Sequence, residues 1–116
     1  MHIKVHTYNN MDVAVLELKG NFIGGKETDE LREKADQLYD QGNRKLILDL
    51  GDVSYLNSSG IGSLMHIYTH YVNGNGRLKL CNISKNIQNA FVITQLVKIF
   101  DIEDTQAKAL ANFGKS

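Results

Sequence analysis

The residues best supplied with chemistry are Asn57-Ser58-Ser59-Gly60, followed by Ile61 and Gly62. A serine in such a turn can serve as a nucleophile, as an acceptor of a transferred group, or as a hydrogen-bonding cap. A nucleophile requires a base within hydrogen-bond reach. The nearest imidazoles, His66 and His70, lie on the segment that follows. If that segment is helical, His66 sits about two turns beyond the serines, roughly ten ångströms by helical rise. That separation excludes a Ser-His couple, and His2 and His6 stand near the N-terminus. Spaced four apart, His66 and His70 share one helix face, yet two imidazoles without nearby Cys are a poor metal set. They read as solvated surface histidines. The pattern Gly60-x-Gly62 lacks the third glycine and the lysine of a phosphate loop, so a nucleotide at the helix start is a minor reading. The chain is therefore expected to be no enzyme, with no metal and no cofactor.

The elements around this turn follow from periodicity. Ile3-Lys4-Val5-His6 alternates, and Val13-Ala14-Val15-Leu16-Glu17-Leu18 is an apolar run ended by Gly20. They predict a strand pair joined around Asn9-Asn10. Leu31, Ala35 and Leu38 recur at helical spacing, with Thr28 and Asp29 as candidate N-caps and Gly42 as a C-terminal stop. Lys45-Leu46-Ile47-Leu48-Asp49-Leu50 reads as a strand buried on both faces. Beyond the turn, Ile61, Leu64, Met65, Tyr68 and Val72 define one face of a helix that stops near Asn73-Gly74-Asn75-Gly76. Arg77-Leu78-Lys79-Leu80-Cys81 alternates as a strand, and Ser84 caps a helix carrying Ile87, Ala90 and Phe91. A short strand in Val97-Ile99-Phe100-Ile102 precedes a terminal helix with Ala107, Leu110 and Ala111. Strands and helices that alternate after an opening pair make an α/β fold with a mixed sheet, and right-handed crossovers place consecutive helices on one face.

The 116 residues suit one domain, with 42% hydrophobic and 22% charged residues. Thirteen basic residues balance thirteen acidic ones, which argues against a nucleic-acid or anionic-membrane partner held by excess positive charge. The single Cys81 reads as a small core residue. No signal core or membrane-length apolar run is visible, so a cytoplasmic protein is expected.

A helix N-terminus has unpaired backbone N–H groups, and one Asn or Ser satisfies them. Three cap formers in succession, then Gly60 and Gly62, exceed that need, and the glycines leave room for another backbone. The run Leu46-Ile47-Leu48-Asp49-Leu50 and then Val53-Ser54-Tyr55-Leu56-Asn57-Ser58-Ser59-Gly60-Ile61-Gly62 resembles the signature of the STAS family, the bacterial anti-sigma factor antagonists. Gly20-Asn21-Phe22-Ile23 followed by Leu31 is similar to the family's second-strand exit. The resemblance implies a STAS-like domain spanning residues 1–116, with a mixed, mostly parallel sheet of about four to five strands and about four helices mainly on one face.

It also implies a partner that is both anti-sigma factor and serine kinase. By position, Ser59 is the phosphoacceptor, with Ser58 as the alternative, though Ser58 reads more readily as a cap. The unmodified turn binds the partner and frees a sigma factor; the phosphorylated turn lets go, and a serine phosphatase resets it. Asn57, Ser58, Ser59, Gly60, Gly62, Gly24 and Gly25 are the expected partner contacts, on a monomer or weak dimer. Two departures stand out. Asn57 occupies a position where the family most often has Asp, which removes a charge beside the acceptor hydroxyl. Gly24-Gly25 replaces an Asp-containing loop, and adjacent glycines suggest positive φ or a close backbone approach. A scaffold subunit of a larger signalling or transport assembly, binding without phosphorylation, is the rival expectation.

Overall fold

The computed structural model describes residues 2–8, 12–22 and 24–114. The expected connection at Asn9-Asn10, and Ile23 of the strand exit, lie outside the described residues. In order, the elements are β1 (His2–Tyr8), β2 (Val13–Phe22), α1 (Lys26–Asp40), β3 (Lys45–Leu56), α2 (Ser58–Asn73), β4 (Arg77–Cys81), α3 (Lys85–Ile93), a 3-10 turn (Leu96–Lys98), β5 (Asp101–Glu103) and α4 (Gln106–Gly114).

Among the described residues the strands form one five-stranded sheet in the order β1-β2-β3-β4-β5. The β1–β2 pair is antiparallel and every later pair is parallel. The chain thus moves steadily across the sheet, and right-handed crossovers bring α1, α2 and α3 to the same face. Leu31, Ala35, Leu64, Ile67, Tyr71, Ile87 and Phe91 from those helices pack there on Leu16, Leu46, Leu48 and Leu80. Helix α4 follows the edge strand β5 and folds back over the other face, where Ala109 and Phe113 meet Val13, Val15, Ile47 and Cys81. Burial of β3 on both faces follows, with Leu46, Ile47, Leu48 and Leu50 at 0% exposure.

Several local expectations shift. The N-cap of α1 is Gly25, not Thr28 or Asp29, and it makes no side-chain cap bond; the Thr28 hydroxyl donates to the Gly25 carbonyl. In α2 the buried face is Gly60, Ser63, Leu64, Ile67 and Tyr71, while Val72 is exposed. The helix is turned toward α1, where the Tyr71 hydroxyl donates to the Ala35 carbonyl at 2.7 Å. The short strand expected from Val97 is partly a 3-10 turn. Gln95, at φ 62, ends α3, and Leu96 accepts from both Ile99 and Phe100, so pairing begins only at Asp101. In α4, Ala109 and Phe113 are the buried positions, while Ala107 and Ala111 are exposed.

The alternation expected in β4 also gives way, because α4 covers the second face. Lys79 is 4% exposed and reaches Asp101 at 2.6 Å and Glu103 at 2.9 Å. Burial opposes its charge, but the bonds to both carboxylates prevail and its pKa is raised. Hydrogen bonds from Asn112 and then Lys79 hold Glu103 below its ordinary 4.5. A depressed carboxylate stabilises the fold above its unfolded pKa, and that contribution is lost as pH falls through the folded value. Glu103→Gln should therefore be less stable than the wild type at about pH 6, with the gap narrowing toward about pH 3. Urea melts at both pH values test this; a constant gap would refute the linkage.

Candidate functional site

The parallel pairing of β2 with β3 assembles the site. These two strands run on beyond the last β3–β4 pair, Asp49↔Cys81, to the pair Phe22↔Leu56. Strand β3 therefore extends past the expected Leu50. Register shifts between Glu17 and Lys19 and between Gly20 and Asn21 interrupt the regular pairing along this overhang. Because both strands point the same way, the loop into α1 and the turn into α2 emerge side by side. Gly24 lies against Ser59, and Gly25 lines the same cavity.

Asn57 is the N-cap of α2, with extended φ −97 and ψ −173, and its Oδ1 accepts from the Gly60 N–H at 3.0 Å. Cap duty thus falls on Asn57. Ser58 and Ser59 occupy the first helical positions and are exposed, so Ser58 is not the cap that its position suggested. Gly60 is buried and turned inward, its carbonyl accepting from the Ser63 hydroxyl at 2.6 Å. Gly62 is exposed, and a Cβ there would meet nothing within 4 Å.

Gly24 has φ +113, and a Cβ on it would lie 3.3 Å from Ser59 Cβ and 3.4 Å from Ser59 Oγ. Gly25 has φ +67 and open space around it. Both glycines adopt the positive φ that their pairing suggested, and the close approach at Gly24 is to Ser59 of the same chain. Between the two helix starts lies an open polar cavity of about 410 Å³, lined among others by Gly24, Asp29, Arg32, Ser59 and Ser63.

A second cavity of about 310 Å³ opens on the other side of the turn, walled by Leu56, Ile61, Ile87 and Phe91, with Tyr55 at its edge. Tyr55 is 56% exposed. Neither Arg32 nor this apolar recess was legible beforehand, although an aromatic two residues before the polar turn was a usable signal.

The histidines take another course. His66 Nε2 lies 3.5 Å and His70 Nε2 3.8 Å from the two carboxylate oxygens of Asp36 on α1, and the two rings stack at 6.2 Å. They form an α1–α2 contact, not a freely solvated pair. Among the described residues no group of three or more His, Cys, Asp or Glu is placed to hold a metal ion, and no helix is long and apolar enough to cross a membrane.

The longest strand of the sheet thus delivers a capped, serine-bearing helix start beside a glycine loop. The chain belongs to the STAS domain family, whose model matches residues 3–109. The anti-sigma-B factor antagonist of Bacillus subtilis is 34% identical over 102 residues, covering 88% of this chain and 92% of that protein. The crystal structure of an anti-sigma factor antagonist from Mycobacterium paratuberculosis shares the fold with a TM-score of 0.80 at 20% identity, covering 97% of this chain and 92% of that one. The anti-sigma factor antagonist SpoIIAA in its unphosphorylated form shares the fold with a TM-score of 0.75 at 17% identity, covering 99% of each chain.

Proposed function

We propose that this protein is an anti-sigma factor antagonist that docks through the Asn57–Gly62 turn on an anti-sigma factor acting also as its serine kinase. Ser59 is the phosphoacceptor, and a phosphatase returns it to the binding form. The carrying observation is the placement of Ser59: exposed, on the first turn of a helix already capped by Asn57. Its hydroxyl is therefore not needed to hold the helix. Family membership and the 34% identity to an anti-sigma-B factor antagonist support the same reading. The work of such a protein, regulating transcription through a sigma factor, places it in the cytoplasm.

In the transfer step, Ser59 Oγ forms a bond to the γ-phosphorus of a nucleoside triphosphate held by the partner. The β–γ bridge P–O bond breaks, the diphosphate leaves, and the hydroxyl proton passes to the partner's base. The product gains about −1.5 to −2 charge and three acceptor oxygens. At a helix N-terminus that charge meets unpaired N–H groups and the positive end of the dipole, so the fold tolerates it. A partner surface packed over the turn would instead have to bury or oppose a dianion, at a cost of several kcal/mol.

The test is co-purification from the native host with mapping of phosphoserine, followed by binding measurements on variants. Wild type and Ser59→Ala should bind the partner alike, and Ser59→Asp should bind at least about tenfold more weakly. Equal binding by all three would overturn the switch and favour a scaffold that binds without phosphorylation.

A further inference from the structure

The polar cavity beside Ser59 contains charges that the docking role leaves unused. Its α1 wall carries Asp29 and Arg32, joined to each other by Arg32 Nη2 and Asp29 Oδ1 at 2.5 Å. The two side chains are 43% and 60% exposed, and an exposed pair of this kind contributes little to stability. It can be remade cheaply. The other polar side chains of the cavity are already engaged: Ser63 donates to the Gly60 carbonyl at 2.6 Å and Thr28 to the Gly25 carbonyl at 3.1 Å.

We propose that Arg32 is the intramolecular counter-charge for a phosphoryl group on Ser59, leaving its pairing with Asp29 to hold the phosphate across the α1–α2 cavity. This inference rests on Ser59 being the acceptor. A phosphoryl group on Oγ has room, because the cavity measures about 410 Å³ and Gly25 and Gly62 contribute no side chain to it. A dianion attracts a guanidinium more strongly than the single charge of Asp29 does. The planar fork of arginine also matches phosphate oxygens two at a time. Asn57, neutral where a carboxylate would repel, adds no charge against the phosphate.

The consequence is a released state that satisfies its own charge. The phosphate is neutralised within the chain, and the N-terminal ends of α1 and α2 gain a tie in addition to the Tyr71–Ala35 bond further along. Phosphorylation would then repel the partner and also stabilise the form that has let go.

The experiment uses the full chain with phosphoserine placed at position 59 by genetically encoded incorporation, so no kinase is required. The second ionisation of the phosphoserine is followed by phosphorus NMR at low salt in wild type, Arg32→Gln, Arg32→Lys and Asp29→Asn, together with thermal midpoints. Arg32→Gln should raise that pKa by about 0.5 to 1, because a cation nearby favours the dianion. It should also abolish the gain in thermal midpoint that phosphorylation brings to the wild type. Arg32→Lys should restore part of the pKa effect, and Asp29→Asn should lower the pKa further. Phosphoserine titrating at the same pH in wild type and Arg32→Gln would overturn the proposal. Failure of the docking reading would appear instead in the partner-binding series, which does not involve Arg32.

Discussion

Phe113→Ala is expected to destabilise the protein by about 3–5 kcal/mol, the range for truncating a buried aromatic, and to make Cys81 reactive. Phe113 is 0% exposed and is the largest side chain with which α4 packs on the second face of the sheet. The Arg77 guanidinium and the Lys79 ammonium lie 5.3 and 5.1 Å from its ring centre. The Lys45 ammonium reaches its carbonyl at 3.4 Å. Removing the ring leaves a cavity against Val13, Val15 and Ile47 in a fold whose whole stability is of order 5–15 kcal/mol.

Cys81 reports the loss directly. In the wild type it is fully buried, and burial above all, with the carboxylates of Asp49, Glu17 and Glu103, pushes its pKa up to about 12. A disulfide reagent should label the native protein only through opening. A loss of 3 kcal/mol or more in opening free energy should speed labelling by about two orders of magnitude or more. Phe113→Leu, which keeps much of the buried volume, should show a far smaller change. Equal labelling rates for wild type and Phe113→Ala would refute the guarding role of α4.

Gly76→Ala has the next largest expected effect, and its cause is purely steric. The Gly76 N–H donates to the Tyr71 carbonyl at 2.6 Å, and the Arg77 N–H donates to the Arg44 carbonyl at 2.8 Å. These bonds close α2 and start β4 beside β3. A Cβ at Gly76 would lie 2.5 Å from the Arg44 oxygen and 2.9 Å from the Tyr71 oxygen. Both are backbone atoms, so neither can swing aside, and the cost should reach or exceed the upper part of the usual 1–3 kcal/mol for overpacking.

Gly74→Ala offers the contrast. Its Cβ would overlap the Tyr39 hydroxyl, the far end of a side chain that donates to the Gly74 carbonyl and carries Arg44 over its ring. Truncating Tyr39 to Ala should therefore offset part of the cost of Gly74→Ala, giving a coupling that a double-mutant cycle detects. The same truncation should leave the cost of Gly76→Ala in place. Denaturant midpoints of the single and double variants decide between the two, and relief of Gly76→Ala by Tyr39→Ala would show the clash to be misplaced.

Much of this architecture was legible from residue order. Hydrophobic periodicity marked the helices and strands because local burial requires one apolar face per element. The steps after Asn73, before Ser84 and after Gly42 were visible because glycine and small polar residues are what helix ends need. The polar turn at residues 57–60 and the serine on it stood out for the same reason. A polar cap at this turn is the local chemistry that periodicity and cap preference together anticipate, although the side chain that accepts from the Gly60 N–H is that of Asn57 and not Ser58.

What lay beyond sequence reading depends on contacts between elements far apart in the chain. Which stripe of α2 is buried was set by α1, through Tyr71 and Ala35, thirty-six residues apart. The burial of Lys79 depends on α4 returning over a face that β4 alone would leave to solvent. The grouping of Gly24 and Arg32 with Ser59 follows from the parallel register of β2 and β3, which sets two loops abreast although more than thirty residues separate them. Residue types along the chain determined that there is a capped serine turn and a glycine loop. Their meeting in one cavity, with a guanidinium on its wall, was determined by strand pairing and helix packing, because side-chain distance across a sheet edge is not a function of spacing along the chain.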